Sequence, residues 1–147
     1  MATGTESIRS APLAGLRVMI VDDQRAMRAI LRELLHKIGI HEVLEAANGE
    51  EALHLLAQLA IKKQKPDVML CDLHMEKMDG MELVNRIRRG KVEAIDRHIP
   101  ILLLTGESDI MMLEVVQQVG ATDILRKPIS AGALAKSLGS AVGVAAE

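Results

Sequence analysis

Four places in the chain put a charged or hydroxylated residue directly after a short apolar run. LRVMIV (16–21) leads into Asp22-Asp23, DVMLC (67–71) into Asp72, and IPILLL (99–104) into Thr105, while a run ending at Leu125 leads through Arg126 into Lys127-Pro128. If each run is a strand of one open parallel sheet, all four ends share its carboxyl edge, where such sheets bind ligands at the topological switch point. Three carboxylates, a hydroxyl and an ammonium then meet in one crevice. Two unit charges about 4 Å apart repel by about 4 kcal/mol at an effective dielectric near 20. Three carboxylates accumulate on the order of 10 kcal/mol, which Lys127 offsets only in part. A divalent cation relieves most of it, and hard oxygen ligands with room for water point to Mg2+.

Beside such a cation a carboxylate can attack phosphorus and form an acyl phosphate. The protein then mainly positions groups and stabilises charge on the equatorial oxygens. Asp72 stands alone at the end of a central run and is read as the nucleophile. The adjacent Asp22 and Asp23 are read as metal holders, with Thr105 and Lys127 on the phosphoryl oxygens.

The elements that must position these groups alternate. After the first strand, Gln24 to Ile38 places Met27, Ile30, Leu31, Leu34, Leu35 and Ile38 on one helical face and Arg25, Arg28 and Arg32 on the other, with Gly39 as a stop. A mixed strand follows at 41–46. A second helix opens at Asn48, with Glu51 three residues on in a capping-box arrangement. Asp67 to Cys71 is a third strand, Asp79-Gly80 a turn into a third helix ending near Gly90, and 91–98 a polar connection. The fourth strand spans 99–104, and Ser108 caps a helix to Gly120. A short strand at 122–125 and a helix from Ser130 to about Leu138 complete five strand–helix repeats, the pattern of an α/β parallel sheet. The first, third and fourth strands are apolar almost throughout and belong at its centre. The second is more mixed and belongs at an edge.

Composition narrows the function. The 147 residues are 49% hydrophobic and include no Phe, Tyr or Trp. The length suits one domain, here 15–140 between tails at 1–14 and 141–147, and the apolar share excludes global disorder. Without aromatics there is no cage for a quaternary amine and no base-stacking platform, and nine Met help fill the core. A formal net charge of −2 gives no field toward nucleic acid or an anionic membrane. The single Cys71 suits a reducing cytoplasm, and no apolar leader or membrane-length segment is present.

The motifs VMIVDD, VMLCDLHMEKMDG, ILLLTGE and DILRKPIS, in this order and spacing, resemble the receiver domain of two-component response regulators, in its stand-alone chemotaxis form, over about residues 16–140. The resemblance implies a doubly wound, flavodoxin-like sheet of five parallel strands in the order 2-1-3-4-5. It implies a phosphoacceptor at Asp72 served by a histidine kinase or a histidine phosphotransfer protein. Mg2+ would be held by Asp23, Asp72 and the backbone carbonyl of His74, with Asp22 acting through water or indirectly. Thr105 and Lys127 would hold the phosphoryl group, and Lys127-Pro128 corresponds to the family's cis peptide. Such a chain is a phosphoacceptor, with at most slow autophosphorylation and autodephosphorylation.

Three departures from the pattern matter. Ile124 stands where an aromatic switch residue is common, three positions before the Lys. Glu76 stands where Pro is common. His74 and Glu107 occupy positions that influence dephosphorylation rate in this family.

Plainer readings apply elsewhere. A single Asp after a strand is usually a helix cap, and only its conjunction with the other strand ends singles out Asp22. Cys71 and the Met residues read as core, and Arg86, Arg88, Arg89 and Lys91 as a solvated helix end suited to the dipole. The row Arg25, Arg28, Arg32 reads as a solvated face by default. Alternatively, Gln24, Arg25, Arg28 and Ile129 contact a phosphodonor domain. Among other functions, a phosphatase with an aspartyl nucleophile needs a second carboxylate two residues on, where His74 stands. A flavin or nucleotide binder needs a hydroxyl- and Gly-rich loop where Asp22-Asp23 stand. An unphosphorylated receiver-like scaffold is disfavoured because every site residue type is present.

Overall fold

The computed structural model describes residues 13–106 and 110–143. Five parallel strands, β1 (Arg17–Val21), β2 (Glu42–Ala46), β3 (Val68–Asp72), β4 (Ile101–Thr105) and β5 (Asp123–Arg126), form one sheet in the order β2-β1-β3-β4-β5. Five helices connect and cover them: α1 (Arg25–Lys37), α2 (Gly49–Ile61), α3 (Gly80–Arg88), α4 (Ile110–Val119) and α5 (Ala131–Ala141). The fifth strand runs one residue further than the sequence suggests, because Arg126 pairs with Thr105 at the end of β4.

Strand periodicity sorts the core into two layers. Val18, Ile20, Val68, Leu70, Leu102 and Leu104 meet Leu31 and Leu35 of α1 and Leu134 and Leu138 of α5 on one face. Met19, Val21, Met69, Cys71, Ile101 and Leu103 meet α2, α3 and α4 on the other. Because β3 and β4 are covered on both faces, all their residues are buried. The edge strand β2 is only partly so.

The helix starts follow local chemistry. Asn48 accepts the Glu51 N–H at 2.9 Å, Asp79 the Glu82 N–H at 2.9 Å and Ser130 the Ala133 N–H at 3.1 Å. Ser108 lies outside the described residues.

Several sequence expectations need correction. Ile30, assigned to the apolar face of α1, is 52% exposed, because α1 buries the narrower stripe of Leu31 and Leu35. The connection 91–98 is polar by composition, yet Ile95 is buried in the core. Leu13, placed in the tail, packs half-buried against the layer beneath α1 and α5. Arg88 is not a solvated helix end. Its Nε donates to the Gly120 carbonyl at 2.8 Å, Nη1 to the Arg97 carbonyl at 2.7 Å and Nη2 to Thr122 Oγ1 at 3.3 Å. One guanidinium therefore fastens α3 to the connection before β4 and to the turn before β5. Arg88→Ala is expected to cost about 1.5 kcal/mol in urea unfolding, partial exposure discounting these charge-assisted bonds, and Arg88→Lys to recover little because an ammonium lacks the fork.

Candidate functional site

The carboxyl edge assembles the residues singled out above. Asp22 follows β1, where its N–H donates to the Ala46 carbonyl at 3.0 Å. Its side chain is fully buried. Oδ1 accepts the Gln24 N–H at 2.8 Å, an Asx-type turn rather than a helix cap, while Oδ2 accepts no hydrogen bond. Asp23 is exposed, and its Oδ2 accepts the Glu76 N–H at 3.4 Å. Asp72 ends β3 and is buried, with Oδ1 accepting from Lys127 Nζ at 3.0 Å. The same Nζ lies 3.9 Å from Asp22 Oδ2. Thr105 ends β4, also buried, and its carbonyl accepts the Lys127 N–H at 2.8 Å. The Lys127-Pro128 peptide is cis.

Oxygens of Asp22, Asp23 and Asp72 lie within 4.8 Å of one another. One of these acids, Asp22, presents a buried oxygen that accepts no hydrogen bond, a ligand atom suited to a hard cation, so the donor set fits Mg2+. The loop after β3 is tightly tied. Leu73 N–H donates to the Leu104 carbonyl at 2.9 Å, and the Gly80 N–H closes back on the Leu73 carbonyl at 3.0 Å. Met78 is buried against Gly49 at the start of α2, where a Cβ would lie 2.8 Å from its sulfur. His74 stands exposed in this loop.

Burial raises the Asp22 carboxyl above its ordinary value of 3.8. The Gln24 N–H opposes this, Asp72 adds to it, Lys127 opposes it and Asp23 adds to it. The folded chain therefore binds this proton more readily than the unfolded chain does. Without metal, the contribution of Asp22 to stability is fullest below 3.8 and is lost as pH rises through the raised value. Asp22→Asn is expected to stabilise the metal-free protein by about 1 kcal/mol at neutral pH and to flatten this pH dependence. It should also shrink the stabilisation gained on adding Mg2+. Urea unfolding with and without Mg2+ checks both.

A family model for the response regulator receiver domain matches residues 18–139. The chain belongs to this family. The receiver is 31% identical over 112 residues to sporulation initiation phosphotransferase F of Bacillus subtilis, covering 76% of this chain and 82% of that protein. It is 32% identical to the Regulator of RpoS of Escherichia coli over 80% of this chain but only 32% of that longer protein. Among solved structures, chemotaxis protein CheY4 of Vibrio cholerae superposes with a TM-score of 0.70 at 32% identity, covering 86% of this chain and 98% of that one. A putative response regulator from Chloroflexus aurantiacus superposes at 0.73, also at 32% identity, covering 87% and 98%. No helix among the receiver's described residues is long and apolar enough to cross a membrane.

The receiver's remaining candidate positions divide. Gln24 and Arg25 are exposed beside the acid pocket. Arg28, read as solvated or as a partner contact, is half-buried and engaged within the fold, with Nε on Glu45 Oε1 at 3.0 Å. Arg32 joins the same carboxylate from Nη2 at 2.6 Å, so the row on α1 is not a simple solvated face. Ile129 is half-buried against the α1–α5 core. Ile124 packs half-buried against the opposite layer. Glu107 lies outside the described residues.

Proposed function

We propose that Asp72 of this two-component receiver accepts a phosphoryl group from the phosphohistidine of a sensor kinase or phosphotransfer protein. The observation that carries this reading is the Lys127 ammonium, 3.0 Å from Asp72 Oδ1 and 3.9 Å from Asp22 Oδ2, over a cluster of three carboxylates. Asp72 attacks phosphorus in line. The new O–P bond forms as the P–N bond to the donor imidazole breaks, and the departing nitrogen keeps the electron pair and takes a proton from solvent.

Lys127 and the Thr105 hydroxyl each stabilise one equatorial oxygen. Asp22, Asp23, Asp72 and the His74 carbonyl would hold Mg2+, which when bound neutralises charge on the transferring group. Asp72 and Thr105 end neighbouring paired strands and Lys127 follows β5 on the same edge, so nucleophile and donors are held together before the reaction. The acyl phosphate then alters contacts with a protein target or passes its phosphoryl group onward.

Incubation with acetyl phosphate should add one phosphoryl group only when Mg2+ is present. The adduct should be lost at alkaline pH and absent from Asp72→Asn. Uptake that persists in that variant overturns the reading.

A further inference from the structure

The turn that carries Asp22 and Asp23 is fastened from outside the acid pocket. Arg28, in the first turn of α1, donates from Nη1 to the backbone carbonyl of Asp22 at 2.7 Å and from Nε to Glu45 Oε1 at 3.0 Å. Glu45, on the neighbouring strand β2, is held in turn by Arg32, whose Nε and Nη2 reach Oε2 at 2.8 and 2.6 Å. Arg32 Nη2 also donates to the Val43 carbonyl at 3.3 Å. Although burial works to raise the Glu45 carboxyl, the Arg32 and Arg28 guanidinia hold it below the usual glutamate value. Glu45 is thus an ionised anchor, and a planar guanidinium gripped at one end by an anchor has one place to put its other end.

That other end meets a consequential atom. The Asp22 carbonyl belongs to the rigid peptide plane that joins Asp22 to Asp23. Holding it fixes the rotation of that plane, and so the direction in which the Asp23 side chain leaves the backbone. The other ties of the turn are Asp22 N–H to Ala46, Asp22 Oδ1 to Gln24 N–H and, at 3.4 Å, Asp23 Oδ2 to Glu76 N–H, and none of them holds the Asp22 carbonyl, which falls to Arg28.

We propose that Arg28, oriented by Glu45, is a positioning residue for the pair Asp22-Asp23 and sets the receiver's Mg2+ affinity by clamping the Asp22 carbonyl. This rests on the three aspartates being the Mg2+ site. A purely electrostatic role for Arg28 has the opposite sign, because removing a positive charge beside the pocket would tighten cation binding. The sign of the effect therefore discriminates.

The test is a Mg2+ titration of the full chain followed by amide NMR shifts, since no tryptophan is present to report binding. Arg28→Lys keeps the charge without the fork, and Arg28→Gln removes both. Each is expected to weaken Mg2+ binding about tenfold, the loss usual when a group that orients a metal ligand is removed. Glu45→Gln, which keeps one acceptor, should weaken it less. Acetyl phosphate uptake should need correspondingly more Mg2+ yet reach a similar rate at saturation. Folded Arg28 variants with unchanged or tighter Mg2+ binding overturn the proposal, as does a lowered saturating rate at unchanged affinity. Absence of Mg2+ binding by the wild type overturns the site reading itself, a different result from wild-type binding that the variants match.

Discussion

Replacing Lys127 by Ala is expected to slow phosphoryl uptake from acetyl phosphate by about 100- to 1,000-fold, the usual loss when one charge-stabilising donor is removed. Among the described residues, the ion pairs of Asp22 and Asp72 both run to this ammonium, at 3.9 and 3.0 Å. Its removal pulls in two directions. The carboxylates then repel one another without an internal counter-charge, so Mg2+ should bind more tightly. The transferring phosphoryl oxygens lose a donor that Mg2+ cannot replace at that position, so the rate should fall even at saturating Mg2+. Tighter binding with slower transfer separates this role from simple metal recruitment. Single-turnover rates at saturating Mg2+ check it, and a rate within a few-fold of wild type would contradict it. Lys127→Arg should remain well below wild type, because a planar fork does not occupy the place of a compact ammonium.

Gly80→Ala should be the most damaging of the small substitutions. A Cβ there would lie 2.5 Å from the Asp72 carbonyl oxygen, 3.0 Å from Leu103 Cδ2 and 3.1 Å from Leu73 Cα. Two of these three are backbone atoms, one of Asp72 and one of the residue after it, and cannot swing aside. Ala gains up to about 1 kcal/mol over Gly in a helix, but overpacking against fixed backbone costs about 3 kcal/mol or more. A net loss of about 2–3 kcal/mol in urea unfolding is expected, with slower phosphoryl uptake because the Asp72 carbonyl must shift. Gly132→Ala, near the start of α5 where a Cβ meets nothing within 4 Å, is the control. It should be neutral or stabilising by up to about 1 kcal/mol. Equal effects at the two glycines would contradict the packing argument.

What could be read from the chain without coordinates follows from the range of the interactions involved. Which strands are central was legible because β3 and β4, buried on both faces, are nearly all apolar, while β2 is mixed at an edge; the full order came only with the family resemblance. Strand ends are local features, so Asp22, Asp23, Asp72, Thr105 and Lys127 could be gathered from their positions after apolar runs. The Arg28–Glu45–Arg32 clasp could not, because Glu45 lies on another strand and a helical wheel places both arginines on a polar face. Arg88 was hidden for the same reason. A basic residue in a last helical turn suits the dipole, and only the approach of Gly120 and Arg97 turns it into a clamp. Ile30 shows the converse error, since periodicity gives the angular position of a residue and not the width of the stripe its neighbours cover. The missing aromatics place Ile124, half-buried, at the position where the resemblance implies a ring.

The most direct test of the central claim is chemical mapping of the acceptor. The protein is phosphorylated with acetyl phosphate and Mg2+, reduced with borohydride so that an aspartyl phosphate becomes homoserine, then digested and sequenced by mass spectrometry. Homoserine at position 72 and at no other aspartate is the predicted result. Homoserine at Asp22 or Asp23 instead, or phosphate retained on a serine, threonine or histidine, would contradict the account.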